Sequence, residues 1–212
     1  MLVVAHGTAD DAGRATTERL VAAIAAARPA VPVEHCFLDV VEPRLPDALD
    51  DRPTVVVPLL LSTGYHVQTD IPAAVAAYPR TVVSRHLGPD DLLVDVLLAR
   101  LGAVPADGAV ALVGAGSSRS AATAELAETG ARLARRVGRP VAVHTMADDL
   151  VAAFAALPRP LTVATYLLAE GRFASTLRAA ADAGTTVAEP LGVHDALVTL
   201  AWRRYDETRA AR

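Results

Sequence analysis

An internal repeat is the feature that most restricts what this chain of 212 residues can fold into. Three segments of the first half resemble three of the second half in the same order, at an offset of about 104 to 109 residues. The matched segments are LVVAHGT (2–8) with ALVGAGS (111–117), VVVPLLLSTGYH (55–66) with TVATYLLAEGRF (162–173), and HLGPDDLLVDVLLARL (86–101) with PLGVHDALVTLAWRRY (190–205). The repeat predicts two domains related by duplication, residues 1–104 and 105–212, joined by the linker-like stretch GAVPADGA.

Each half contains four short runs rich in Val and Leu, separated by longer segments. The runs, which predict strands, lie at 2–5, 31–38, 54–61, 81–84, 109–114, 140–146, 161–168 and 185–189. The clearest amphipathic segments predict helices at 11–28, 89–103, 119–137 and 193–209. This alternation is typical of βαβ units and a parallel sheet. We therefore predict an α/β fold in which two Rossmann-like, parallel-sheet domains face each other across a cleft.

Composition excludes several classes of protein. A net charge of −4 and a pI near 5.8 argue against a protein that mainly binds nucleic acid. The single cysteine, Cys36, rules out an intramolecular disulfide framework and a cysteine-based zinc cluster. No run approaches the roughly 18 to 20 apolar residues that a membrane helix needs, so we predict a cytoplasmic protein without a membrane partner.

Three potential metal ligands follow three neighbouring predicted strands. His6 ends the first strand, Asp39 ends the second, and His66 follows the third by a short turn. Ligands of parallel sheets bind at the carboxyl ends of the strands, so these side chains are expected at one edge. Two imidazoles and a carboxylate suit Co²⁺, Fe²⁺, Ni²⁺ or Zn²⁺ and leave positions open for another ligand.

The repeat provides an internal control for this site. At the positions that match His6 and His66, the second half has Ala115 and Phe173. Side chains needed only for packing or capping would serve both copies equally. We therefore predict that the chemistry lies in the N-terminal half and that the C-terminal half closes the cleft.

Each candidate also has a structural interpretation. A histidine at a strand end is often a hydrogen-bonded turn residue, and Asp39 has the character of a helix N-cap. Glu42 has the character of a first-turn carboxylate favoured by the helix dipole. Asp70, four residues after His66, either orients that imidazole as a hydrogen-bond acceptor or is solvated.

Other polar groups give weaker signals. The turn GAGSSRS (114–120) resembles a phosphate loop but lacks the P-loop lysine and the GxGxxG spacing, so no nucleotide is predicted. Ser117 or Ser118 is predicted as the N-cap of the helix that follows. His86, next to Arg85 at the end of the fourth strand, is a candidate for substrate contact.

Together the HG at 6–7, FLDVVEP at 37–43 and VVVPLLLSTGYHVQTDIP at 55–72 resemble the sirohydrochlorin chelatase family, the class II, ATP-independent tetrapyrrole chelatases. The resemblance extends to the two-domain form, whose second domain opens with a motif like LVGAGSS. It implies a chelatase-like fold with a tetrapyrrole in the cleft. The implied enzyme is a cobaltochelatase or ferrochelatase that inserts Co²⁺ or Fe²⁺ into sirohydrochlorin or a related tetrapyrrole in cobalamin or siroheme biosynthesis.

The resemblance also implies roles for individual residues. His6, Asp39 and His66 fall on the metal ligands of the family, and the two histidines also have the chemistry to accept pyrrole protons. The family has Glu where this chain has Asp39, which is one methylene shorter, so Glu42 is an alternative ligand. The substrate of the family carries carboxylates, so arginines are expected to line the cleft, and those placed near strand ends are Arg14, Arg85, Arg119 and Arg172. His86 is the further candidate for substrate contact.

Three other functions remain compatible with these residues. One is a non-catalytic carrier of a metal or tetrapyrrole, which would bind without turnover. Another is a metal-dependent hydrolase, in which the same ligands activate water. The third is a two-lobed small-molecule binding protein in which the histidines are incidental. The sequence is compatible with a monomer or a homodimer.

Overall fold

The computed structural model describes residues 1–211 and contains two parallel sheets of four strands each. The first has the order β2-β1-β3-β4 and the second the order β6-β5-β7-β8. The strands are β1 (Leu2–Ala5), β2 (Glu34–Phe37), β3 (Thr54–Pro58), β4 (Thr81–Val83), β5 (Ala109–Gly114), β6 (Val141–Thr145), β7 (Leu161–Tyr166) and β8 (Thr185–Val187). Every predicted strand is present, and the identical strand order in the two halves confirms the duplicated α/β architecture.

Helices connect and cover the strands. They are α1 (Asp11–Ala27), α2 (Ile71–Val75), α3 (Asp91–Leu101), α4 (Ser120–Val137), α5 (Leu150–Ala155), α6 (Arg172–Ala179) and α7 (Asp195–Ala210), with a 3₁₀ turn at Leu45–Ala48 and a π-helical turn at His66–Asp70. The four longest were predicted, whereas α2, α5 and α6 are too short to show a clear amphipathic period. Among the described residues, no helix combines the length and the apolar character needed to cross a bilayer.

The start of α4 differs from its prediction. Arg119, not Ser117 or Ser118, is the N-cap, and no side chain caps the helix. The Ser117 hydroxyl instead accepts a hydrogen bond of 3.2 Å from the Arg119 backbone N–H. The serine is therefore used in the turn that precedes the helix.

Side chains alternate between two layers along each strand. In the first sheet, Val3 and Val57 face a large central core, while Leu2, Val4 and Val56 face a smaller outer one. This period of two is expected for a strand that is buried on both faces. The central core also contains buried side chains from the second sheet, so one apolar core joins the two halves.

The two halves exchange their last helices. Helix α3 packs against β7 and α4 of the second half, and α7 packs against β3 and α1 of the first. Arg204 of α7 donates to the carbonyls of His86 and Leu87, at 3.0 Å each. Arg100 of α3 makes the reciprocal contact, donating to the Leu191 carbonyl at 2.8 Å. A boundary at residue 104 or 105 thus separates the two sheets but not the helices that cover them.

Candidate metal centre

Two histidines meet at the carboxyl edge of the first sheet. His6 directly follows β1, and His66 lies beyond β3 at the start of the π-helical turn. Their Nε2 atoms are 3.2 Å apart, and the two rings are nearly perpendicular, with an angle of 86° between their planes. The structure thus brings together two of the three predicted ligands.

The other nitrogen of each ring has an oxygen neighbour. His66 Nδ1 lies 2.6 Å from the Asp70 carboxylate, and His6 Nδ1 lies 3.1 Å from the Gly7 carbonyl. Because both oxygens are acceptors, the tautomer that satisfies them carries its proton on Nδ1 and leaves a lone pair on Nε2 in each neutral ring. Two lone pairs at this distance repel unless a proton or a cation lies between them.

The separation of the two Nε2 atoms suits a shared metal ion. With metal–nitrogen bonds of about 2.1 Å, a nitrogen separation of 3.2 Å corresponds to an angle of about 100° at the metal. That angle lies between those of octahedral and tetrahedral coordination. His6 is exposed and the His66 side chain is 28% exposed, so further ligands have access to the remaining positions.

The π-helical turn sets the orientation of His66. The Ile71 N–H donates to the His66 carbonyl five residues earlier, instead of to the residue four earlier as in an α-helix. Asp70 lies at the end of this turn, where its carboxylate reaches the imidazole. A carboxylate on the outer nitrogen of a metal-binding histidine fixes the ring and raises its basicity.

Asp39 lies near the pair, but its carboxylate has other partners. Its Oδ1 accepts hydrogen bonds from the Val40 N–H at 2.8 Å and from Arg44 Nη1 at 3.2 Å. The Val40 N–H is the main cause of the lowered pKa of Asp39, and the charges of Arg44, His6 and His66 contribute. Within residues 1–211 there is no group of three His, Cys, Asp or Glu side chains arranged to hold a metal ion. Ligation by Asp39 stays a prediction.

Arg44 is a residue of this site that the sequence interpretation missed. It contacts Asp39 and also Glu42, whose carboxylate accepts from the Arg44 backbone N–H at 3.0 Å and lies 3.3 Å from its Nε. The Glu42 side chain is 70% exposed. The only signal in the sequence was an arginine close to two carboxylates in DVVEPR, which has no pattern specific to metal sites.

Two exposed apolar side chains lie next to candidate ligands in the chain, and a third lies at the position of the repeat that matches His66. Val40 and Tyr65, next to Asp39 and His66 in the chain, are 48% and 56% exposed, and Phe173 of the second half is 48% exposed. Val40 has a φ of 71°, which is rare for a β-branched residue and costs free energy. Strained backbone positions of this kind cluster at functional sites.

Arg119 reaches the site from the second half of the chain. Its guanidinium lies 5.8 Å from the centre of the Tyr65 ring, which in turn lies 6.3 Å from the His66 ring. The distance from Arg119 to Tyr65 is within the range of a cation–π contact. A cation of the C-terminal half is thus held beside the candidate centre.

The other predicted arginines differ in their surroundings. Arg85 and Arg172 are exposed. Arg172 follows Gly171, where an added Cβ would lie 3.6 Å from the Thr8 hydroxyl of the first half. Arg14 pairs with Asp11 on α1 at 2.5 Å.

His86 is buried, so its position does not support the predicted substrate contact. The residue is 6% exposed, and its Nε2 lies 3.2 Å from Oε1 of Glu125 on α4. Burial lowers the pKa of His86 in spite of this carboxylate neighbour. The imidazole therefore acts inside the protein, between the two halves.

Comparison with known proteins fits this geometry. Residues 1–104 match the model of the CbiX family. The N-terminal half of this chain belongs to the CbiX family. The match contains the histidine pair and confirms the family resemblance seen in the motifs. No curated protein sequence matches the chain.

Solved structures extend the likeness beyond the CbiX match. SirB from Bacillus subtilis with Fe³⁺ is 21% identical, with a TM-score of 0.78 over 98% of this chain and 94% of that one. The sirohydrochlorin chelatase SirB from Bacillus subtilis subspecies spizizenii, in complex with cobalt, is 22% identical, with a TM-score of 0.80 over 98% and 93%. CbiX, described as the terminal enzyme for biosynthesis of siroheme in denitrifying bacteria, is 24% identical, with a TM-score of 0.76 over 97% of both chains. Both halves of this chain therefore share the fold of two-domain chelatases.

Proposed function

We propose that this protein is a sirohydrochlorin chelatase that inserts Co²⁺ or Fe²⁺ into sirohydrochlorin or a related tetrapyrrole, in cobalamin or siroheme biosynthesis. The observation that carries the proposal is the convergence of the His6 and His66 Nε2 atoms, 3.2 Å apart, on an exposed edge of a CbiX domain. The relatives of similar fold hold Fe³⁺ or cobalt.

The metal ion is a substrate in this reaction and must be bound weakly enough to leave. Two neutral imidazoles, His6 and His66, bind a divalent ion while other positions stay occupied by exchangeable ligands. Asp39 carries a negative charge close to the pair. It attracts the cation either by direct coordination as a third ligand or through its charge alone. Asp70 keeps the His66 lone pair directed at the ion.

Insertion also requires the removal of protons from the macrocycle. A divalent ion replaces the pyrrole N–H protons as it forms bonds to the pyrrole nitrogens. Each imidazole that releases the metal regains a free lone pair at Nε2 and accepts a proton. The histidine pair thereby gives the metal ion to the macrocycle and takes up the protons that the macrocycle releases. No nucleotide takes part in the step that we propose.

The flanking residues suit a flat polycarboxylate. Val40, Tyr65 and Phe173 offer exposed apolar contacts to the macrocycle. Arg119, Arg85 and Arg172 present guanidinium groups, which pair well with carboxylates. We place the metal site in residues 1–104 and assign residues 105–212 to the opposite wall of the cleft.

The cellular setting is part of the proposal. A single, buried cysteine needs no oxidising compartment, so we propose that the enzyme acts in the cytoplasm. Because both walls of the cleft come from one chain, we expect the monomer to be active.

The test is the rate of metal insertion, followed by the absorbance of sirohydrochlorin with Co²⁺ or Fe²⁺. We expect the wild type to accelerate insertion over the uncatalysed rate and His6→Ala/His66→Ala to lose the acceleration. The matched control is His35→Ala, which removes an imidazole from β2, where the ring packs against Phe37. Binding of the macrocycle by the wild type without acceleration would instead identify a carrier.

A further inference from the structure

A partly buried polar cluster joins α4 of the second half to the loop that leads to His66. Glu125 accepts two hydrogen bonds from Thr63: the backbone N–H lies 2.5 Å from Oε2 and the hydroxyl 2.7 Å from Oε1. His86 Nε2 lies 3.2 Å from the same Oε1. We call Glu125, Thr63 and His86 the Glu125 latch.

The polar groups of the Glu125 latch are hydrogen-bonded to one another. The side chains of Glu125 and His86 are 19% and 7% exposed. Because burial lowers the pKa of His86, the ring is neutral near pH 7 and donates its Nε2–H to the carboxylate. Glu125 thus receives three donors, two of them from one loop residue. Bonds of this kind to a charged acceptor are stronger than those between neutral groups.

The latch is only two residues away from the π-helical turn. Gly64 and Tyr65 separate Thr63 from His66, and the Gly64 carbonyl accepts from the Gln68 N–H at 3.2 Å. Helix α4 holds the same loop at a second point, through the contact of Arg119 with Tyr65. Helix α4 of the opposite half and its N-cap residue thus contact the segment before His66 at two points.

The second half shows that the fold does not require this cluster. By the offsets of the repeat, Thr63 corresponds to Glu170, His86 to Pro190 and Glu125 to Thr16. All three counterparts line an open cavity of about 440 Å³. This position in the scaffold is therefore filled by the Glu125 latch in the copy that carries the histidine pair, whereas in the other copy it is an open cavity.

We propose that Glu125 is a positioning residue of the metal centre: by holding Thr63, it fixes the loop that sets His66 Nε2 opposite His6 Nε2. The proposal rests on the proposed function only in that the histidine pair binds the ion. Through this contact the C-terminal half, which has no histidine at the matched positions, contributes to metal binding.

Glu125→Gln tests the proposal with a nearly isosteric change. An amide has one acceptor oxygen, so it satisfies one Thr63 donor and turns its NH₂ group toward the other. We expect the dissociation constant for Co²⁺ to rise about tenfold, as for other changes behind a metal ligand, with an altered Co²⁺ absorption spectrum. In turnover, the KM for the metal should rise while the KM for the tetrapyrrole stays the same.

Matched variants separate positioning from general stability. Glu128→Gln makes the same substitution on the same helix, at a residue that is 49% exposed and pairs with Arg132, and should leave Co²⁺ binding unchanged. Thr63→Ser keeps both donors and should bind like the wild type, whereas Thr63→Val loses the hydroxyl and should weaken binding.

The outcomes are distinct from those of the chelatase assay, because Co²⁺ binding is measured without a tetrapyrrole. Wild-type affinity and spectrum in Glu125→Gln would overturn the proposal, as would equal losses in Glu125→Gln and Glu128→Gln. If the wild type binds Co²⁺ through the histidines but does not accelerate insertion, the proposed function fails and the positioning role stands. If His6→Ala binds Co²⁺ as well as the wild type, both proposals fail.

Discussion

The two halves of this chain share a scaffold and differ where the chemistry is proposed. Their sheets have the same strand order, and Arg100 and Arg204 make reciprocal contacts with the opposite half. At the carboxyl edge, the first half has His6 and His66, whereas the second has Ala115 at the position that matches His6. The shared strand order and the reciprocal arginine contacts thus serve the fold, whereas the histidine pair is found in the copy where the metal site is proposed.

The segment after the third strand of each half shows how this difference is built. In the first half it forms the π-helical turn His66–Asp70, which pairs an imidazole with a carboxylate. In the second half the matched residues begin α6, where Phe173 is exposed and Leu177, at the position of Asp70, is fully buried. One copy uses this position for packing, and in the other copy the Asp70 carboxylate holds the His66 imidazole.

The largest effect we predict concerns the shared scaffold, in the comparison of Arg204→Ala with Arg100→Ala. The Arg204 side chain is 4% exposed and pairs with Asp90 at 2.9 Å. Its removal takes the donor away from two backbone carbonyls and leaves Arg203 as the arginine partner of Asp90. We expect a loss of about 3 kcal/mol in the free energy of unfolding. Arg100 is partly exposed and, within residues 1–211, donates to the carbonyls of Leu191 and Val193, so we expect about 1 to 2 kcal/mol.

Urea unfolding of both variants at pH 7 measures this difference. Equal losses would mean that the two contacts, which the repeat relates, stabilise the fold equally and that the pairing of Arg204 with Asp90 adds nothing. A larger loss for Arg100→Ala would reverse the proposed ranking.

The sequence predicted those parts of the fold that depend on local patterns. Val-rich runs and amphipathic segments gave all eight strands and the four long helices within a few residues. The meeting of His6 and His66 was also predictable, because parallel strands bring their carboxyl ends to one edge. Both inferences use periodicity or topology and need no knowledge of which helix packs on which sheet.

Features that depend on long-range packing were not predictable in this way. Helices α3 and α7 each pack against the opposite half, far from their own strands in sequence. His86 likewise contacts Glu125, a residue of the other half. Arg44 competes for the Asp39 carboxylate through a tight, strained loop, and a single sequence does not report such a loop conformation. The residues of the π-helical turn, HVQTD, show no pattern that distinguishes them from the first turn of an ordinary α-helix, so the sequence does not predict this turn.

The next prediction tests the difference between the two edges directly. His66→Ala removes a proposed metal ligand, so the Co²⁺ affinity should fall by more than about 100-fold, beyond the range for groups behind the ligands. Phe173→Ala, the matched position in the second half, should leave the Co²⁺ affinity unchanged and raise the KM for the tetrapyrrole. Isothermal titration with Co²⁺ and steady-state kinetics measure the two effects. Equal Co²⁺ affinities of the two variants would remove the basis for assigning the metal to the first half.

The smallest effect we predict concerns Asp39. Because its carboxylate already accepts from the Val40 N–H and from Arg44, we expect it to attract the cation by charge more than by a direct bond. Asp39→Asn should then lower the Co²⁺ affinity by less than about tenfold, below the effect of losing a ligand. The loss should shrink as salt is added, because exposed charges are screened. A loss as large as that of His66→Ala, independent of salt, would show instead that Asp39 leaves Arg44 and binds the metal when the ion is present.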